Sequence, residues 1–112
     1  MITIKAEVTS TNNIIIDPGV RINSGNINGY RICFTFQVPW DENYSLYAVI
    51  KPVFDVPIKV SVTGNSAIMP PVTYKRFSKV GIGLLGQRIN ENGEIVESVM
   101  TALKYVEVVK GA

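Results

Sequence analysis

Apolar and polar residues alternate along much of this chain with a period of two, the signature of strands that bury one face. Ile2, Ile4, Ala6 and Val8 alternate with Thr3, Lys5 and Glu7, predicting a first strand. Thr9 to Asn13 reads as a polar turn and Ile14 to Ile16 as a short strand. Asp17-Pro18-Gly19 closes that strand, and Val20 to Ile22 has room for another. Asn23 to Gly29, rich in asparagine and glycine, reads as an exposed loop. Ile32, Phe34, Phe36 and Val38 then alternate with Cys33, Thr35 and Gln37 in the clearest strand of the chain. That run halts at Pro39-Trp40-Asp41-Glu42-Asn43, a corner holding the only tryptophan. A returning strand carries Leu46, Ala48 and Ile50, and Ile58, Val60 and Val62 mark the next.

Pro70-Pro71 fixes an extended connection after Ala67-Ile68-Met69 and blocks a helix there. Val72 to Phe77 fits either a short helical turn or a connector between sheets. In Lys79 to Gln87, Val80, Ile82 and Leu84 alternate with Gly81 and Gly83, so the opposite face lacks side chains there. Glycine at alternate strand positions predicts a neighbour's backbone or ring lying close against that face. Arg88 to Val99 reads as a hairpin about Asn92-Gly93, and Leu103 to Val109 as a last strand. About eight strands, regular turn signals and no amphipathic helix predict an all-β, mostly antiparallel β-sandwich. The 112 residues fit one domain, 1–112.

Composition narrows the chemistry. The chain is 46% hydrophobic and 18% charged, apolar enough to fill a core or to cover part of its surface with neighbouring subunits. A formal charge of +2 gives no footprint for nucleic acid or an anionic membrane. No segment approaches the roughly 20 apolar residues of a membrane-spanning helix. Met1 runs directly into strand-like residues, so no secretory leader is expected. Histidine is absent, which removes the commonest general base and transition-metal ligand. Cys33, the one cysteine, is expected as a buried thiol acting as a small hydrophobe.

The remaining candidates each have a plain alternative. Asp41 and Glu42 are adjacent, point apart in an extended chain, and read as a solvated turn rather than an acid/base pair. Glu91, Glu94 and Glu97 lack calcium-loop spacing and read as charge on an exposed hairpin. Gly81-x-Gly83-x-x-Gly86 leads to no helix, so the dinucleotide fingerprint lacks the helix N-terminus it depends on. Tyr74, Lys75, Arg76, Phe77 and Lys79 interleave aromatic and basic groups, and read as a connector with its aromatics in the core. Trp40, Tyr44 and Tyr47 are the candidate sugar-stacking platform, against a reading in which Trp40 is buried and caps the core. No cofactor and no metal site is expected.

The order of the pieces resembles β-sandwich modules of tailed phages infecting Gram-positive bacteria, found in baseplate and receptor-binding appendages and in head-surface proteins. The residues that carry it are Tyr30 to Phe36, Trp40, Tyr47 to Ile50, Ile58 to Val62, Met69-Pro70-Pro71, Val80 to Gly86, and Tyr105 to Val109. The resemblance implies an immunoglobulin-like sandwich with a non-enzymatic structural role in the virion, made in the bacterial host cytoplasm and present in many copies. Capsid decoration or head fibre and tail or baseplate adaptor are the expected settings, with capsid or tail subunits as partners. In that family the module often opens a longer appendage, whereas this sequence stops after it, which favours a stand-alone role. Candidate assembly contacts are Ile2, Ile4, Tyr105 and Val109, on the first and last strands. The alternative is a carbohydrate-binding module contacting host cell-wall glycan through the Trp40 corner.

Overall fold

The alternation places buried side chains on the facing sides of two sheets. The computed structural model describes residues 1–26, 29–75 and 78–110. Among them lie ten strands: β1 Ile2–Val8, β2 Ile14–Ile15, β3 Arg21–Asn23, β4 Tyr30–Phe36, β5 Ser45–Pro52, β6 Ile58–Ser61, β7 Ser66–Ile68, β8 Lys79–Ile89, β9 Ile95–Met100 and β10 Lys104–Val109. The chain is an all-β sandwich. Ile27 and Asn28 of the expected loop, Arg76 and Phe77 of the connector, and Gly111 and Ala112 lie outside the described residues.

The smaller sheet has the order β2-β1-β4-β7 and the larger β3-β10-β8-β5-β6, with β9 also on β8. Pairing is mostly antiparallel, but β1 runs parallel to β4 and β3 parallel to β10. β5 takes one edge of β8 from Val80 to Gln87. On the other edge β10 covers Lys79 to Ile82, and β9 covers Leu85 to Ile89. Thus β9 and β10 behave as one long ribbon with a break at Thr101–Leu103.

The core follows the predicted faces. Ile4, Ala6 and Val8 of β1 and Tyr30, Ile32 and Phe34 of β4 meet Ala48 and Ile50 of β5 and Val80, Ile82 and Leu84 of β8. Each such valine, isoleucine, leucine or phenylalanine side chain contributes roughly 1.5–3 kcal/mol by leaving water. A 3-10 turn at Pro71–Thr73 carries the chain to Tyr74, which is buried and meets Tyr30 edge-on at 5.2 Å. Burial raises the Tyr74 pKa above the ordinary tyrosine value of 10.0.

Three expectations need correction. β4 ends at Phe36, and Val38 is exposed, because Gln37 bends away after donating its N–H to the Val8 carbonyl. Cys33 is only half-buried. It lies on the outer face of the smaller sheet, opposite Lys5 and Ser66, since its neighbours Ile32 and Phe34 take the core side. Ser66–Ile68, not foreseen as a strand, pairs with β4 over three residues. The Asn92-Gly93 hairpin is present as a three-residue turn: the Gly93 N–H reaches the Asn90 carbonyl and Asn90 N–H the Glu94 carbonyl. Gly93 takes φ +79°, which glycine adopts without a Cβ penalty.

Candidate functional site

The Trp40 corner is built by a turn and a glycine. The Asp41 carboxylate accepts the Asn43 N–H at 2.9 Å, and the Asp41 carbonyl accepts the Tyr44 N–H, so Asp41 is spent on closing the turn. The turn swings Trp40 and Tyr44 over Gly86 of β8. A Cβ at Gly86 would lie 3.0 Å from Cζ3 of Trp40 and 3.2 Å from Cδ2 of Tyr44. The indole also meets Phe36 at 5.7 Å and the edge of Tyr44 at 6.2 Å. Trp40 is therefore half-buried rather than fully buried: it plugs the end of the core and leaves its rim toward water. Beside it is an open hollow of about 450 Å³ bounded by Pro39, Glu42 and Asn65.

Tyr44 is held by charge. Its hydroxyl donates to Glu97 of β9, whose other carboxylate oxygen meets the Arg88 guanidinium at 3.1 Å. The hydrogen bond to Glu97, followed by burial and the nearby negative charge, raises the Tyr44 pKa above 10.0. Glu97 thus has a structural partner on the inner side of the ribbon, which its place in a run of hairpin carboxylates did not disclose.

Tyr47 does not join this platform. Leu46, Ala48 and Ile50 of β5 lie opposite Gly86, Leu84 and Ile82 on the core side, whereas Tyr47 lies opposite Leu85 on the outer side. There the Lys59 ammonium sits 4.4 Å from its ring centre. The three aromatic candidates therefore divide between two faces, with Trp40 and Tyr44 together and Tyr47 apart.

The outer face of the larger sheet is unexpectedly apolar. Leu85 lies between Tyr47 and Met100, and Val49 lies opposite Gly83. The glycines at 81 and 83 accommodate close neighbours as their spacing predicts. A Cβ at Gly81 would stand 3.1 Å from the Tyr105 ring, and one at Gly83 would stand 2.8 Å from Cδ2 of Leu103. Of the assembly candidates, Tyr105 is 44% exposed and Val109 37% exposed on this face of β10. Ile2, at the start of β1 in the other sheet, is also exposed. Ile4 is 2% exposed within the core, so its side chain is closed to a partner. Among the described residues, no group of three or more acidic, histidine or cysteine side chains is gathered closely enough to hold a metal.

No protein-family model matches the chain, and no curated protein matches it. Its fold is similar to that of the N-terminal domain of phage TP901-1 ORF48, with a TM-score of 0.66. The match covers 96% of this chain and 98% of that one. At 13% sequence identity, the likeness is one of fold.

Proposed function

We propose that this protein is a non-enzymatic structural module of a phage virion, an immunoglobulin-like sandwich docked on the particle as a capsid decoration, head fibre, or tail or baseplate adaptor. The observation that carries the reading is the end-to-end fold likeness to a domain of a phage protein. It agrees with the resemblance carried by the Trp40 corner and the glycine-bearing strand. The apolar outer face around Tyr47, Leu85 and Tyr105 supports a module that meets other virion subunits there. Ile2, Tyr105 and Val109 are the contacts this reading retains.

The glycan-binding alternative is less well supported. Trp40 is wedged against Gly86, Tyr44 is tied to Glu97, and Tyr47 looks the other way. Purified particles from the phage that carries the gene provide the test. Mass spectrometry should find the chain in them, and antibody labelling should place it on head or tail. Particles free of the protein would overturn the proposal.

A further inference from the structure

We propose that the connection between β5 and β6, with the 3-10 turn beside it, forms a tip that seats on the interface of an anionic lipid bilayer. The inference concerns an end of the molecule that the virion reading leaves unused, and it stands apart from that reading.

The apolar part of this tip stands in water. Phe54 and Val56 are 77% and 70% exposed, more than any other large apolar side chain among the described residues. Val72, on the 3-10 turn, is 54% exposed. The segment that carries Phe54 is tied down at its base: the Asp55 N–H bonds the Pro52 carbonyl, and the Val53 N–H bonds the Lys79 carbonyl. Phe54 and Val72 line one cleft of about 200 Å³ together with Pro52, Val53 and Thr73. Two separate elements thus bring apolar side chains to one exposed place, as an interaction site does.

Charge is divided along the molecule. β5 runs from Ser45, opposite Gln87, to Pro52, opposite Val80. Asp41 and Glu42 precede its start, and beyond Gln87 the β8–β9 hairpin carries Glu91, Glu94 and Glu97. At the other end Lys75 and Lys79 line the cleft, and Lys51 adjoins it on β5. Two carboxylates are close by. Asp55 lies on the tip and accepts the Val56 N–H at 2.9 Å, while Glu107, opposite Lys79 on β10, is held by Arg21 at 3.2 Å. The lysines therefore leave the tip positive and the far end negative, a division that the net charge of +2 conceals.

An anionic bilayer interface uses both features at once. Its headgroups attract the lysines, and the boundary with the acyl chains takes up Phe54, Val56 and Val72. A soluble polyanion would use the lysines and leave the apolar side chains in water. A folded partner would need a pocket shaped to Phe54, whereas a bilayer asks only that the apolar residues protrude, as Phe54 and Val56 do. The negative far end then points away from the surface, so the same charge division that draws the chain in also sets its orientation.

Flotation of the full chain with lipid vesicles tests this. It should float with vesicles of phosphatidylglycerol and phosphatidylcholine in equal parts, far less with phosphatidylcholine alone, and less as salt is raised. Phe54→Ser, at an exposed position, should keep the circular dichroism of the wild type and weaken partitioning at least about tenfold. Lys75→Gln and Lys79→Gln should each weaken it about fivefold. Phe54→Trp reads the orientation: brominated acyl chains should quench the introduced indole and spare Trp40. Tyr30, the first residue of β4, packs on Tyr74 next to the 3-10 turn, and Trp40 lies past the far end of that seven-residue strand, on the order of 20 Å away. A wild type that stays unbound on anionic vesicles overturns the proposal, including the case in which the tip serves only a protein partner. So does binding that Phe54→Ser leaves unchanged, the mark of a polyanion site, or quenching of Trp40 in place of the introduced indole. Should Phe54→Ser misfold, Val56→Ser carries the same test.

Discussion

The ring of Trp40 occupies the space that a side chain at Gly86 would need, with Cε3 and Cζ3 both 3.0 Å from the position of that absent Cβ. Neither partner can yield easily, since the indole is also packed against Phe36 and Tyr44. Gly86→Ala should therefore push the indole outward and destabilise the fold by about 1–3 kcal/mol, the usual range for overpacking. Chemical denaturation followed by Trp40 emission checks both effects, because the displaced indole should emit to the red in the folded state.

Thr101 repairs the break between β9 and β10. Its Oγ1 accepts the Leu84 N–H at 3.0 Å while its own N–H bonds the Leu84 carbonyl, and the side chain is 3% exposed. Thr101→Val keeps the shape and removes the acceptor, leaving a buried N–H unsatisfied at a cost of about 1–3 kcal/mol. Thr101→Ser keeps the oxygen and should lose less. Urea midpoints of the two variants, at an unchanged denaturant slope, measure the difference.

Much of this architecture is legible in the chain because a strand that buries one face must alternate. Ile4-Ala6-Val8, Ile32-Phe34 and Val80-Ile82-Leu84 all point where the period of two sends them. The parallel pairing of β1 with β4 has no such signal: either direction of β4 would bury the same side chains, and the choice is made by contacts far apart in sequence. β7 escapes notice because three residues hold too little of a pattern. Cys33 was assigned to the interior by residue type, and its odd place beside Ile32 and Phe34 is the signal that would have put it outside.

The Trp40 corner is half legible for a related reason. Spacing along the sequence brings Trp40, Tyr44 and Tyr47 close together, but strand β5 starts between the last two and its alternation separates Tyr47 from the others. Gly86 carries the better clue. Set aside as part of a failed nucleotide motif, it continues the inward series of Val80, Ile82 and Leu84, and so announces that something must fill the space it leaves. The Glu97 link to Tyr44 spans 53 positions and depends on how β8 pairs with both β5 and β9, which no local pattern reports.

Tyr44 should leave a mark on the alkaline limb of the stability curve. The Glu97 hydrogen bond, followed by burial, raises its folded-state pKa above the ordinary value of 10.0. The folded chain therefore holds this proton more tightly than the unfolded one. The resulting stabilisation is complete below pH 10 and is lost as the pH rises through the folded-state pKa. Tyr44→Phe removes that loss along with the hydrogen bond. Wild-type and variant stabilities should converge as the pH climbs above 10, with Tyr74 common to both as background. Denaturation at a series of alkaline pH values reads the convergence, and a constant gap between the two curves would contradict the assigned hydrogen bond.

Trp40 is also where the structural and glycan-binding readings part in solution. As a plug at the end of the core, half covered by Phe36, Tyr44 and Gly86, Trp40→Ala should cost about 2–3 kcal/mol, below the roughly 3–5 kcal/mol of a fully buried aromatic. As a sugar platform it would contribute little to the fold, and the variant would keep its midpoint while losing glycan binding. The wild-type indole separates the readings without mutation. It should emit to the blue of free tryptophan and stay unchanged on titration with bacterial cell-wall glycan. The physical reason is that a sugar ring needs an open indole face. Here Gly86 lies in contact with the ring, the Tyr44 edge abuts it at 6.2 Å, and Tyr44 cannot swing aside without breaking its hydrogen bond to Glu97. A saturable shift in Trp40 emission with glycan, abolished by Trp40→Ala in a variant with an unchanged melting curve, would instead mean that this corner opens to a ligand.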